Sequence, residues 1–231
     1  MKYTKFSRET LPFLQTAGKQ KDRDWLAEHE DAYRSALRGP FECLVDHLRD
    51  TLEKDAPDYR FPSRNIGRIQ KMANRVETDG VVNKDWVSVS AARPPASRFE
   101  RYPHLFFGIL PNEAGWNGIF VTGGLFMPTS DQLRKVRIGI SKNAGPLHDL
   151  FSSTAFRNHF PDGFSHRNTG VRTPKGFSDD DPELEWLKLK NFMVERQVPV
   201  AEFVSADFFD HVAADFRQIL KLNRLLEAFL D

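Results

Sequence analysis

The spacing of apolar residues changes along this 231-residue chain, and that change constrains the fold more than any other sequence feature. In the first third, apolar residues recur three or four positions apart, which is typical of helices buried on one side. In the middle, three short runs rich in β-branched and aromatic residues predict strands over residues 86–91, 104–110 and 117–126. Proline cannot donate to a sheet, so Pro94-Pro95 and Pro111-Asn112 predict the turns of an antiparallel meander.

The remaining elements are predicted to be mainly helical. A first helix is expected to start after Ser7 as its cap and to end at Gly18, with further helical segments over residues 22–52. Thr129 and Gln132 form a capping-box pattern that predicts another helix. Helices over residues 146–156, 182–190 and 205–230 and a strand over 191–197 complete the assignment. The sequence therefore predicts an α+β fold with N-terminal helices, a mainly antiparallel central sheet and a long C-terminal helix, in one compact domain over residues 1–231.

The overall composition is nearly neutral. Lysine and arginine total 33 against 32 acidic residues, so a net charge of +1 creates no general attraction to nucleic acids or membranes. Cys43 is the single cysteine, which excludes an internal disulfide and is typical of a reducing compartment. The sequence lacks 18 consecutive uncharged apolar residues, and its first residues lack the apolar run of a secretory signal. These features predict a cytoplasmic protein that does not bind membranes.

Positive charge is concentrated locally between residues 60 and 84. As a helix, this segment would place Arg64, Arg68, Lys71 and Arg75 on one face, and a strand could direct them into one cleft equally well. Guanidinium groups bind phosphate or carboxylate through paired hydrogen bonds. The alternative is a solvated basic face paired with acidic helices. The six basic residues of the segment are Arg60, Arg64, Arg68, Lys71, Arg75 and Lys84.

A second basic group lies late in the chain and consists of Arg172, Lys175, Lys188 and Lys190. It overlaps a polar segment, residues 162–182, which is long enough to be either a functional loop or a mobile one. Asp181 followed by Pro182 is interpreted as a helix start rather than a metal site, and no metal ligands are predicted. Because the sequence contains no P-loop, HExxH or G-x-S-x-G motif, it leaves open whether the protein is an enzyme and which cofactor, if any, it uses.

Several segments together resemble a bacterial family known as domain of unknown function 2461. The similarity rests on the start Phe6 to Leu14, on Asp22-Arg23-Asp24-Trp25, and on the later segments Gly123 to Pro128, Pro174 to Phe177 and Leu187 to Phe192. The family has a signature of spaced arginines with an aspartate, followed by an Asp or Asn before Lys. Arg68, Lys71, Arg75 and Asn83-Lys84 match parts of it, whereas Met72 replaces the aspartate and Val76 the phenylalanine. The resemblance implies a fold but no established activity.

Three hypotheses about function follow. The first is binding of a small phosphate- or carboxylate-bearing ligand in a basic cleft. A degenerate enzyme fits this hypothesis, because a methionine in place of a carboxylate removes a proton acceptor. The second is nucleic-acid binding or a nuclease-like role, with Trp86, Phe99 and Tyr102 stacking on bases. The third is a protein-interaction module without catalysis, and the oligomeric state is left open. For the first, the expected ligand-binding residues are Arg68, Lys71, Arg75, Asn83, Lys84, Lys175, Lys188 and Lys190.

Overall fold

The computed structural model describes residues 5–94, 100–110 and 118–231. It contains helices packed on a four-stranded antiparallel sheet and a long C-terminal helix, so the predicted α+β class is confirmed. The predicted turn at Pro111-Asn112, together with Pro95, Phe99 and Asn117, lies outside the described residues.

The N-terminal part is helical, as predicted. Helix α1 ends before Gly18 as expected, but it begins three residues after Ser7, whose Oγ instead accepts a hydrogen bond from the backbone N–H of Glu9 at 3.3 Å. A π-helical turn, Arg34–Arg38, joins α3 directly to α4. The helices of this part are α1 (Thr10–Ala17), α2 (Trp25–Glu28), α3 (Glu30–Tyr33) and α4 (Gly39–Leu52).

The basic segment that follows is not a helix. Asn65 and Gly67 have positive φ angles of 57° and 69°, which interrupt any helical path. Gln70 forms an antiparallel bridge with Asn83. Among the described residues between them, the one regular element is a 3₁₀ turn, Ala73–Arg75. The helical arrangement considered for the arginines is therefore wrong, and the segment is a short extended pairing with a loop.

The sheet is a meander of four antiparallel strands in the order β1-β2-β3-β4. The predicted strands are confirmed to within two residues at each end. Strand β4 joins β3 only after a long excursion of the chain. The strands are β1 (Val87–Ala92), β2 (His104–Ile109), β3 (Ile119–Leu125) and β4 (Phe192–Gln197).

The second half of the chain supplies the remaining helices. The capping box of Thr129 and Gln132 is formed at the start of α5 as predicted. Helix α8 is shorter than the predicted 182–190, because the backbones of Lys188 and Lys190 hydrogen-bond to Gly170 and Asn168 instead of extending the helix. The helices are α5 (Ser130–Lys142), α6 (Gly145–Ser152), α7 (Thr154–Arg157), α8 (Leu184–Leu187), α9 (Val200–Phe203) and α10 (Phe208–Leu230).

Helix α10 covers one face of the sheet, which we call the inner face. A Cβ on Gly123 of β3 would lie 2.3 Å from the Ile219 side chain of α10, so this glycine is what allows helix and sheet to approach so closely. Gly123 and Gly124 both pair regularly within β3, and they form neither the bulge nor the turn that such a pair commonly indicates. No helix in the described ranges combines the length and apolar character required to cross a membrane.

Candidate functional site

The opposite, outer face of the sheet carries three rows of side chains that the strand register brings side by side. In the central row, Phe106 of β2 is opposite Thr122 of β3, which is opposite Glu195 of β4. One of the two neighbouring rows begins with His104 of β2, and the other contains Phe120 of β3. Because side chains alternate between the faces of a strand, these residues point away from α10.

A cavity of about 280 Å³ lies on this outer face, and we call it the sheet-face cavity. Its volume is close to the lower end of the range of about 300 to 1,000 Å³ that is typical of small-molecule sites. The strands provide its floor, and the chain after β3 and the polar segment provide its walls. It is lined by His104, Phe106, Phe120, Thr122, Phe126, Ser165, Arg167, Asn168, Asn191, Met193 and Glu195.

An aromatic pair forms the apolar part of the cavity. The rings of Phe106 and Phe120 stack with their centres 5.6 Å apart and an angle of 22° between the ring planes. Gly108 makes this stack possible, since a Cβ there would lie 2.7 Å from the Phe106 ring and 2.9 Å from the Phe120 ring. Phe126 adds a ring that is 49% exposed. A flat apolar group could pack against this surface.

His104 contributes an imidazole that is uncharged at neutral pH. Burial lowers its pKa to about 4, although hydrogen bonds with backbone groups of Gly124 and Tyr102 act in the opposite direction. His104 therefore lines the cavity with a polar ring that carries no charge and is held in place by backbone hydrogen bonds.

Among the described residues of the lining, Glu195 and Arg167 are the two that carry a charge. Their side chains form an ion pair at 2.9 Å, with Glu195 mostly buried and Arg167 about half exposed. Burial raises the pKa of Glu195, and the Arg167 guanidinium counteracts this rise. The two formal charges cancel, so the part of the lining that the structure describes is neutral.

Three residues of the polar segment, residues 162–182, form one wall of the cavity. The backbone N–H of Ser165 donates to Met193 O at 2.7 Å, and Asn168 O accepts from the N–H of Lys190 at 2.9 Å. These bonds hold Ser165, Arg167 and Asn168 beside strand β4. Asn191 lies on the same side, where its Oδ1 accepts a hydrogen bond from the N–H of Met127 at 2.8 Å.

The first group of predicted binding residues lies in the basic segment. Arg68 and Arg75 are exposed and Lys71 is half-buried, while Asn83 is 1% exposed. Lys84 is half-buried, and its pKa is lowered by burial and, to a smaller extent, by the charge of Arg68.

The second predicted group lies beside α8. Lys175 and Lys190 are exposed, and Lys188 forms an ion pair with Glu185 at 3.2 Å. Lys188 and Lys190 belong to the chain that leads into the cavity-lining Asn191. That the two basic groups share one cleft stays a prediction.

A separate group of ionisable residues surrounds Arg196. The guanidinium donates to Glu202 through two hydrogen bonds of 2.8 and 2.9 Å and also to Asp215. His159 Nδ1 lies 2.6 Å from Asp215 Oδ1, and His211 Nδ1 lies 3.4 Å from Glu202 Oε1. The cluster borders a cavity of about 480 Å³. Within the part of the chain that the structure describes, no three potential ligands are arranged to hold a metal ion.

Fold and site together define an α+β protein whose antiparallel sheet is covered by a long helix on one face and carries a small amphipathic cavity on the other. The chain belongs to the family of conserved hypothetical proteins DUF2461, whose family model matches residues 9–224. The resemblance inferred from the sequence segments is thereby confirmed. No curated protein and no solved structure matches the chain.

Two of the segments that carry the family resemblance meet at the sheet-face cavity. Phe126 belongs to the segment from Gly123 to Pro128, and Asn191 belongs to the segment from Leu187 to Phe192. None of the cavity-lining residues was among the predicted ligand-binding residues. The signal that could have found some of them is the alternation along the strands, which places His104 and Phe106, or Phe120 and Thr122, on one face.

Proposed function

We propose that this protein binds a small, uncharged molecule with a flat apolar portion and a hydrogen-bonding edge in the sheet-face cavity. The observation that carries the proposal is the combination of the stacked Phe106–Phe120 pair with the uncharged imidazole of His104 in one concave site. Apolar walls with a few converging polar groups are characteristic of small-molecule sites.

The charge of the lining argues for an uncharged ligand. Arg167 and Glu195 already neutralise each other at 2.9 Å. A charged ligand would bring an unpaired charge next to buried apolar groups, which is costly unless it displaces one partner of this ion pair. A neutral molecule avoids that cost.

The polar groups favour a ligand with one hydrogen-bonding edge rather than a wholly apolar one. Ser165, Asn168 and Asn191 lie on the wall formed by the polar segment and its neighbours, across from the aromatic floor. The Thr122 hydroxyl donates to Val194 O at 2.7 Å, so it is already used within the sheet. The volume of about 280 Å³ suits a molecule of one or two rings.

The proposal differs from the basic cleft expected from the sequence, in which Arg68, Lys71, Arg75, Asn83 and Lys84 would meet the late lysines around an anion. The geometry of the sheet-face cavity supports ligand binding better, because it encloses a volume with both apolar and polar walls.

The test uses the methionine methyl groups as reporters. Protein labelled with ¹³C at the methionine methyls is titrated with a library of neutral mono- and bicyclic aromatic compounds and with their carboxylated analogues. Met193 lines the cavity, whereas Met72 lies in the basic segment and serves as an internal control. We expect neutral compounds to shift the Met193 signal and to leave the Met72 signal in place.

A variant pair links the shift to the cavity. Ser165→Phe fills the space with a side chain, whereas Ser165→Ala leaves the space open. Binding should disappear in the first variant and persist in the second. The proposal is wrong if no neutral compound moves the Met193 signal, or if Ser165→Phe binds as well as Ser165→Ala.

A further inference from the structure

Hydrogen bonds hold the backbone of the basic segment in place at Lys71 and Lys84. The N–H of Lys84 donates to Ile69 O at 2.9 Å, and the N–H of Lys71 donates to Val82 O at 2.8 Å. Val82 in turn donates to Gln20 O at 2.9 Å, which attaches the pairing to the N-terminal part of the fold. A ligand at this surface would therefore meet a backbone that is already ordered, which lowers the entropic cost of binding.

The hydrogen bond from the N–H of Lys84 to Ile69 O places Lys84 beside the residue that follows Arg68, and neither cation has a compensating acid among the described residues. Burial and the charge of Arg68 lower the pKa of Lys84. Among the described residues, no carboxylate oxygen lies within 4.0 Å of the side-chain nitrogens of Arg68 or Lys84, and the same holds for Lys71 and Arg75. Two like charges in this position repel each other, and an anion between them would remove the repulsion.

Neighbouring arginines on the helices behave differently. Arg38 pairs with Glu42 at 2.9 Å, and Arg49 pairs with Asp46 at 2.8 Å. The basic segment therefore does not fit the alternative of a solvated face paired with acidic helices, at least over the residues that the structure describes.

A flat apolar surface lies beside Lys84. The Lys84 ammonium is 4.2 Å from the centre of the Trp86 ring, and this tryptophan is 41% exposed.

We propose that Arg68, Lys84 and Trp86 bind a small phosphate monoester, with the phosphate between the two cations and the organic group on the indole ring. Charge decides between phosphate and carboxylate. A phosphate monoester carries about −1.5 to −2 at neutral pH, which matches two cations, whereas a carboxylate leaves one cation uncompensated. The guanidinium of Arg68 supplies a two-pronged donor for phosphate oxygens, and Lys84 supplies a point charge. This site is independent of the sheet-face cavity.

The experiment compares phenyl phosphate with phenyl sulfate at pH 8, where the phosphate is a dianion and the sulfate a monoanion. Isothermal titration calorimetry should detect phenyl phosphate binding below about 1 mM, with phenyl sulfate weaker by about tenfold or more. Equal affinity for the two compounds, or no binding of phenyl phosphate at that concentration, would overturn the proposal.

Variants assign the binding to these residues. Arg68→Gln and Lys84→Met should each weaken phenyl phosphate binding by about tenfold or more, whereas Lys54→Met, which removes the charge of an exposed lysine at the end of α4, should not change it. Trp86→Leu should weaken the binding of phenyl phosphate more than the binding of inorganic phosphate.

Arg68 and Trp86 are exposed enough that their variants are expected to fold, so the test does not depend on Lys84→Met alone. Unchanged affinity in Arg68→Gln would contradict the proposal, and the Met193 methyl signal should stay in place during this titration.

Discussion

Arg196 of strand β4 donates hydrogen bonds to both carboxylate oxygens of Asp215, a residue of α10 that is 1% exposed. The same guanidinium holds Glu202 of α9, so it lies between two carboxylates and links the sheet to α9 and α10. A buried carboxylate of this kind is tolerated because a cation is fixed beside it.

Replacing Arg196 with methionine should therefore destabilise the protein strongly. The variant keeps Asp215 buried but removes its cation, and the expected loss is about 3 to 5 kcal/mol in the free energy of unfolding. Urea denaturation monitored by circular dichroism measures it. Arg34→Met is the matched control, since Arg34 and Glu30 are both about half exposed and 3.8 Å apart, and it should cost about 0.5 kcal/mol. A loss below about 1 kcal/mol for Arg196→Met would show that the pair is not needed for stability.

Gly108 should be sensitive to the addition of a single methyl group. In Gly108→Ala the new Cβ would lie within 3 Å of both rings of the Phe106–Phe120 stack, and we expect a loss of about 1 to 3 kcal/mol together with a displaced aromatic pair. Gly145→Ala at the start of α6 is the control, because the nearest atom there is the end of a flexible side chain at 3.3 Å. Alanine at that position should change stability by less than about 1 kcal/mol, since Pro146 disfavours helical backbone at a preceding alanine and this offsets the gain in helix propensity. Equal stability of the two variants would argue against the observed ring stack.

The secondary structure was largely predictable from local sequence patterns. The strands and α5 were identified because alternation, bounding prolines or glycines and the Thr129–Gln132 capping box are local signals. The conformation of the basic segment was not predictable from such signals, since it depends on positive φ angles at Asn65 and Gly67 and on a bridge between Gln70 and Asn83. The length of α8 also depended on a distant partner, the chain around residues 168–170.

The sheet-face cavity was missed for a related reason. Phe106, Thr122 and Glu195 share a row only because the register aligns three strands, and β4 is separated from β3 by four helices within the described chain. Register across such a distance is set by the turns and by the burial of the inner face, not by a motif. The charge of a residue was also a poor guide, because the imidazole of His104 is uncharged at neutral pH.

Two buried tyrosines should differ in how much their hydroxyl groups contribute to the free energy of unfolding. Tyr59 donates to the carboxylate of Glu227 at 2.9 Å, whereas Tyr33 donates to the neutral carbonyl of Gly67 at 3.0 Å. Burial and the nearby Glu227 raise the pKa of Tyr59, so its hydroxyl stays protonated and remains a donor. We expect Tyr59→Phe to cost about 1.5 to 3 kcal/mol and Tyr33→Phe about 0.5 to 1.5 kcal/mol. Chemical denaturation of the two variants checks the order, and the reverse order would contradict the charged acceptor.

His104 should make stability depend on pH in a defined window. Its folded pKa is about 4, below the value of 6.5 expected in the unfolded chain, so the unfolded state binds a proton more readily between these limits. The contribution of His104 is therefore fully present above pH 6.5 and is lost as the pH falls towards 4, by up to about 3 kcal/mol. Urea denaturation of the wild type and of His104→Gln from pH 7.5 to 4.5 measures the difference in stability.

The advantage of the wild type over His104→Gln should shrink as the solution becomes more acidic, because glutamine takes up no proton in either state. His166→Gln is the control, since His166 is exposed and its substitution should change stability by less than about 0.5 kcal/mol at every pH. A constant difference between the wild type and His104→Gln across this range would show that His104 is as accessible to protons in the folded protein as in the unfolded chain. In that case the sheet-face cavity would not hold the uncharged imidazole on which the proposed preference for a neutral ligand depends.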